Sequence, residues 1–240
     1  MKFKRYNKKS SYSYTFGYST TQSLLKNKKS INIIKVLIKK EGLKDKEVLN
    51  LKQNLEKNKI PYEINNRLID KISYKENTYV IGIFEKFKED IDKNKDIIVL
   101  VNPSNPRNVG TIIRTMLAFE FKNLLLVKPA VDVFHPSLIR ASMGAFFNIN
   151  FEYIDSVKDL KNIIKNYKNY SLMLDGDKSV NDIKIDRNKK NCFIFGNESR
   201  GLDKDFKNFT NTIYIPHSNN IDSLNVSISV GITLFKTKYG

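Results

Sequence analysis

At 240 residues the chain is long enough for one large domain or two small ones, and too long for a lone helix or a disulfide-stapled miniature fold. With 40% hydrophobic residues it has material for a packed core, which excludes wholesale disorder, and no apolar stretch approaches the ~20 residues that span a bilayer. The formal net charge of +17 points to a polyanionic partner, because a basic surface attracts phosphate chains through counterion release and steering.

The charge is uneven. Residues 1–90 hold 21 Lys+Arg against 10 Asp+Glu, whereas residues 91–240 hold 21 against 15. In chain order, residues 1–14 are basic and Ser/Tyr-rich, and are expected to be a loosely ordered N-terminus. Tyr12, Tyr14, Phe16 and Tyr18 alternate with small polar residues. Such spacing suits either an amphipathic strand or rings presented to the exposed bases of a nucleic acid. A compact α/β piece should follow. Residues 31–38 form a strand candidate, 45–58 a polar helix and 77–84 another strand. Residues 85–95 are almost continuously charged, which suits a linker.

From residue 96 short apolar runs at 97–101, 124–127, 172–174, 192–195 and 213–215 alternate with helical-looking segments at 108–119, 136–146, 156–168 and 223–237. Alternation of this kind predicts a mostly parallel sheet flanked by helices. The last segment fits strand and helix periodicities alike. The single cysteine, Cys192, lies in an apolar run, so a buried thiol in a reducing compartment is expected. The start Met1-Lys2-Phe3-Lys4-Arg5 lacks the apolar core of a signal peptide, so the expected location is cytoplasmic.

In parallel sheets, chemistry collects in loops beyond the carboxyl ends of the strands. Three polar clusters fall at such places. The first runs from Asn102 to Gly110 and leads into a helix carrying Arg114, with Asn108 where a helix would be capped. A cap and a surface arginine would explain it equally well. The second is Gly196-Asn197-Glu198-Ser199-Arg200-Gly201-Leu202, for which a plain turn is the competing explanation. The third joins Ile215-Pro216 through a polar loop to Ser223-Leu224-Asn225-Val226-Ser227, small polar residues that suit a helix N-terminus. His135 and His217 are expected to be ordinary loop residues, and no ligand cluster for a metal is seen.

Taken together and in this order, the three clusters resemble the SpoU/TrmH-like family of SPOUT RNA methyltransferases. The matching positions are Asn108, Gly110 and Arg114, then Gly196, Glu198, Gly201 and Leu202, then Ile215, Pro216, Ser223, Leu224, Asn225 and Ser227. Arg140-Ala141-Ser142-Met143-Gly144-Ala145 also resembles a family segment, and Asn150 departs from a proline common there. The resemblance implies a SPOUT methyltransferase domain over 96–240 with a C-terminal trefoil knot, S-adenosylmethionine as cofactor, and a homodimer. It extends more loosely to residues 15–88 as a small L30-like RNA-binding domain, with 89–95 as linker. The activity it implies is ribose 2′-O-methylation, of ribosomal RNA in preference to transfer RNA. The alternatives are a non-catalytic RNA-binding protein that retains the fold and a base methyltransferase.

By the same resemblance, Arg114 activates the 2′-hydroxyl or holds the neighbouring phosphate, and Asn108 and Asn225 orient the ribose or Arg114. Glu198 holds Arg114 or a loop in place, and Ser223 hydrogen-bonds near the nucleophile. Gly196, Ile215 and Leu224, with Asn225, are expected to hold the cofactor.

Overall fold

The computed structural model describes residues 3–27, 31–74, 77–186 and 188–240. In chain order the first elements are β1 (Tyr12–Phe16), α1 (Tyr18–Lys26), β2 (Ile33–Ile38), α2 (Lys46–Lys57), β3 (Tyr62–Ile64), α3 (Asn66–Ile72) and β4 (Val80–Glu85). Then come β5 (Ile97–Val101), α4 (Pro106–Ala118), β6 (Asn123–Val127), α5 (Pro136–Ala141), β7 (Asn150–Ile154), α6 (Val157–Ile164) and β8 (Lys168–Leu172). The last are β9 (Lys178–Ser179), β10 (Asn191–Phe195), β11 (Asn211–Tyr214) and α7 (Val226–Tyr239). Contacts divide the chain into one unit of residues 1–88 with 132–147, and a second of 89–131 with 148–240.

The first unit is built on a four-stranded sheet of order β1-β4-β2-β3, antiparallel except for the β2–β3 pair. Alternate residues of its strands feed opposite faces, as the pleat requires. Tyr12, Tyr14, Leu37, Ile81 and Ile83 pack with Phe3, Ile69 and Ile72 on one side. Val36, Ile38 and Val80 pack with Val48, Leu51 and Leu55 of α2 on the other. The polar helix expected at 45–58 is α2, and Asp45 caps it by accepting the Glu47 N–H at 2.7 Å.

Two expectations about the N-terminus change. Tyr12 and Tyr14 sit inside β1 and are buried, so those rings are core and not platforms for RNA bases. Tyr14 donates its hydroxyl to the Lys4 carbonyl at 2.5 Å, and burial pushes its phenol well above the ordinary tyrosine range. The looseness expected of residues 1–14 therefore does not extend to 12–14, and Phe3 is buried as well. The physical cause is the alternation itself, which a sheet partner turns into one buried face.

Residues 132–147 pack with this first unit. Ser13 Oγ donates to the Phe134 carbonyl at 2.5 Å, Ser23 Oγ to the Gly144 carbonyl at 3.2 Å, and Phe84 meets Phe147 edge to face. The helix expected over 136–146 stops at Ala141, because Met143 and Gly144 have positive φ (51° and 86°) and turn the chain out of the α conformation. His135 caps α5, its Nδ1 accepting the Ser137 N–H at 3.1 Å.

The second unit carries the α/β architecture expected from the alternation. Its seven strands pair in parallel throughout, in the order β7-β6-β5-β10-β8-β11-β9. Every residue of β5, β6 and β10 is buried, as strands covered on both faces must be. Cys192 lies in β10, fully buried, with its thiol pushed up by that burial. The ambiguous C-terminal segment is the helix α7, which packs on α4. Asn150 opens β7 by donating its backbone N–H to the Lys122 carbonyl at 2.7 Å, a bond that proline at this position could not make.

The strand expected at 172–174 lies earlier, at Lys168–Leu172. Leu172 ends that strand, while Met173 and Leu174 lead out of it, Met173 buried and Leu174 66% exposed. That apolar run serves a cavity wall more than the sheet core.

Candidate functional site

The site is assembled at the carboxyl ends of β5, β8, β10 and β11. The loop after β10 is shaped first by glycine. A Cβ on Gly196 would stand 2.2 Å from the Gly201 carbonyl carbon, so only glycine fits, and Gly201 itself has φ +69°. The backbone groups of Asn197 and Gly201 pair across the turn, N–H to carbonyl at 3.2 and 2.9 Å. Asn197 then locks its interior, its Oδ1 accepting the N–H groups of Ser199 (2.9 Å) and Arg200 (3.2 Å).

This turn grips the loop after β5. Asn197 Nδ2 donates to the Asn102 carbonyl at 2.7 Å. Glu198 accepts the Ser104 N–H (3.1 Å) and Oγ (2.8 Å), the Asn105 N–H (3.1 Å) and Asn108 Nδ2 (3.4 Å). Partial burial by itself pushes the Glu198 carboxyl up, but hydrogen bonds from its own backbone, Ser104 and Asn105 outweigh that. The group is held below its ordinary range. The cap of α4 is Asn105, whose side chain accepts the Arg107 N–H at 2.9 Å. This corrects the expectation that Asn108 caps it. Asn108 sits inside the first turn, with its amide turned to Glu198 on one side and to the third cluster on the other.

The third cluster closes the chain of contacts. Asn225 caps α7, its Oδ1 accepting the N–H and Oγ of Ser227 at 2.8 and 2.7 Å, while its Nδ2 donates to Asn108 Oδ1 at 3.4 Å. A continuous line therefore runs from Asn225 through Asn108 to Glu198 and the loop at Ser104–Asn105. Of the two partners expected for Glu198, the structure provides the loop. Arg114 lies further along α4, exposed, with no hydrogen bond or ion pair among the described residues.

Beside this line lies a cavity of about 400 Å³, within the size range of small-molecule sites. Gly196, Glu198, Ile215, Ser223 and Leu224 are all in its lining, whereas Asn108, Arg114 and Asn225 are not. Its apolar walls come from Leu172, Leu174, Phe195, Ile215, Leu224 and Val226, and its polar rim includes Asp175, Arg200 and Lys204. Leu172–Leu174 were missed as site residues, although an apolar run continuing past a strand end was the available signal. Ser104, Asn105 and Asn197 were also missed, since nothing in their spacing shows which side chains meet Glu198. His217 lines the cavity, and its Nδ1 is 2.8 Å from the Ile215 carbonyl.

The chain matches the family model described as the SpoU rRNA Methylase family over residues 95–235. A protein named "Uncharacterized tRNA/rRNA methyltransferase" from Borreliella burgdorferi is 33% identical over 161 residues, covering 65% of this chain and 68% of that protein. A "23S rRNA (adenosine(1067)-2'-O)-methyltransferase" from Streptomyces azureus is 29% identical, over 62% of this chain and 56% of its own length. Among solved structures, the SpoU methyltransferase AviRb from Streptomyces viridochromogenes in complex with AdoMet superposes with a TM-score of 0.80. That match covers 95% of this chain and 89% of that one at 18% identity, a likeness of fold.

Proposed function

The chain belongs to the SpoU rRNA Methylase family, and from that premise we propose that it methylates a ribose 2′-hydroxyl of RNA, ribosomal RNA in preference to transfer RNA. The observation that carries this reading is the Asn225–Asn108–Glu198 line, which ties three separate loops together beside a cavity of cofactor size. The relatives named for 2′-O-methylation of ribosomal RNA support the choice of atom and of RNA.

S-adenosylmethionine fits the residues present. The apolar walls at Leu172, Leu174, Ile215, Leu224 and Val226 suit an adenine ring and the alkyl groups around the sulfonium, and the polar rim suits an amino-acid end. Its chemistry, when bound, is to supply a methyl group on a good leaving group. Gly196, Ile215 and Leu224, which line the cavity with Ser223, are proposed to hold it, together with Asn225, which stands between the lining residues Leu224 and Val226.

The remaining work falls to the chain's own groups. A ribose hydroxyl is a weak nucleophile near neutral pH, so its oxygen must be aligned and its proton managed. Arg114 is exposed and carries no carboxylate partner among the described residues, so its five donors are available to an RNA phosphate. A guanidinium keeps its charge in ordinary surroundings, which favours phosphate contact and orientation over a literal base role. Asn108 and Asn225 orient the ribose, and Glu198 holds the β5–α4 loop rigid around it.

Three further features belong to the same reading. Residues 15–88, with their excess of cations, act as an L30-like grip on RNA. A homodimer is supported by the apolar stripe that α7 leaves exposed, with Ile228, Phe235 and Tyr239 each more than half accessible. The C-terminal knot and a cytoplasmic location go with the family; no helix of the described residues is long and apolar enough to cross a membrane.

The test is incubation with isotope-labelled S-adenosylmethionine and unmodified total RNA, followed by alkaline hydrolysis. A 2′-O-methyl group blocks cleavage at its own linkage, so label should appear in alkali-resistant dinucleotides. Label in mononucleotides would mean base methylation, and no label despite cofactor binding would favour a non-catalytic RNA-binding protein.

A further inference from the structure

The parallel sheet has a second end. The cavity lies beyond the carboxyl ends of its strands, and five residues at about 3.3 Å each put the amino ends roughly 17 Å away. There two adjoining hollows, of about 780 and 490 Å³, share Lys189 in their linings. Lys95, Lys122 and Lys190 line the larger with Lys189, and Lys165 and Lys168 line the smaller.

The groove's own acids do not balance these cations. With Lys238, the two linings hold seven lysines against two carboxylates, Asp96 and Glu120. Asp96 is occupied by the Asn191 N–H at 2.7 Å, and Glu120 is paired with Lys238. Lys95, Lys122, Lys165 and Lys189 are exposed and form no salt bridge among the described residues. Lys190 is held in place by the Lys93 carbonyl at 3.0 Å and the Tyr167 ring at 4.8 Å, and Lys168 lies 5.6 Å from the Tyr170 ring. None of the exposed large apolar side chains among the described residues lines either hollow, so the groove offers little to a bilayer or to an apolar protein partner.

We propose that this lysine groove binds the phosphodiester backbone of the substrate RNA at a second segment, away from the nucleotide being methylated. The inference rests on the methyltransferase reading only for RNA being the substrate. Because the groove and the cavity lie at opposite ends of the sheet, one molecule reaches both by passing round the helix layer. The substrate is therefore a folded RNA that presents two separated segments, and a short strand around the target forgoes the second contact.

The experiment uses the full chain with Lys95→Gln, Lys122→Gln and Lys189→Gln combined. Its probes are deproteinised ribosomal RNA and a mixed-sequence decanucleotide, each bound at equilibrium across a salt series. The variant should bind ribosomal RNA about tenfold or more weakly, with a log–log salt slope smaller by about 2 to 3, as loss of three phosphate contacts requires. Decanucleotide and S-adenosylmethionine binding should stay at wild-type levels, the latter also reporting an intact fold. Wild-type affinity and slope for ribosomal RNA would overturn the proposal. So would an equal loss for the decanucleotide. Because binding is read without methyl transfer, failure of the wild type to methylate any RNA would remove the catalytic reading and leave this result standing.

Discussion

Glu198 does more at the site than any other single side chain, because three hydrogen bonds from Ser104 and Asn105 hold a loop that carries no secondary structure and a further one ties it to Asn108 on α4. A folded-state carboxyl held below its ordinary range stabilises wherever it is ionised, so its contribution is full above the unfolded value near ~4.3. It fades as pH falls through the lower folded value. Its contribution to folding stability should therefore be complete above about 4.3 and be lost progressively as pH falls further, measured by denaturant titration across pH. Glu198→Gln keeps the shape and loses the charge. It should weaken cofactor binding by about tenfold at pH 7, in line with hydrogen bonds to a charged acceptor worth roughly 1.5–3 kcal/mol before discounting for partial exposure. Arg114→Ala should lower kcat/KM by about 100-fold or more while cofactor affinity stays unchanged, and an undiminished rate would remove Arg114 from the chemistry.

At the scale of elements, the site depends on how two helices begin and one turn closes. Asn105 and Asn225 cap α4 and α7, and Asn225 also reaches Asn108. Asn225→Ala should cost about 1 kcal/mol of stability in denaturant titrations through the lost cap, and a larger factor in methyl transfer through the lost contact to Asn108. Gly196→Ala has no room, since its Cβ would meet Gly201 backbone and not a flexible side chain. Loss of cofactor binding together with a lowered melting temperature is the expected result, because the backbone itself must move to admit the methyl group. The capping residues themselves were only half legible: polar residues before an apolar run mark a helix start, but Asn105 and Asn108 are both asparagine, and only the backbone shows which one accepts the first free N–H.

For the molecule as a whole, the N-terminal unit is not a detachable piece. Phe134, Phe146 and Phe147 are buried in the same unit as β1 and β4, so deleting residues 1–90 would strip the cover from 132–147. RNA affinity is better tested by neutralising surface cations of that unit one cluster at a time than by truncation. The exposed stripe on α7 gives a separate expectation. Phe235 is 58% accessible and in ring contact with Phe119 and Tyr239; if the proposed dimer forms through this stripe, Phe235→Asp should sediment as a monomer where the wild type sediments as a dimer. A wild-type chain that sediments as a monomer would end the dimer reading.

Composition and periodicity by themselves determined the α/β class, the parallel sheet and the order of the three polar loops, because buried strands must be apolar throughout and turns must carry glycine and small polar residues. It was the resemblance of the three loops, taken together, to the SpoU/TrmH-like family that pointed to Gly196, Glu198 and Asn225; spacing alone left a turn and a cap as equal explanations. Only the tertiary structure decided that Glu198 grips Ser104 and Asn105 instead of Arg114, since residues 94 positions apart meet through strand order and not through spacing. It likewise decided that Tyr12 and Tyr14 are core, because an alternating strand has no inner face until a neighbouring strand and helix supply one. Met173 and Leu174, expected in a strand, lie beyond its end in the cavity lining for the same reason: hydrophobicity demands burial or a ligand, and only packing says which.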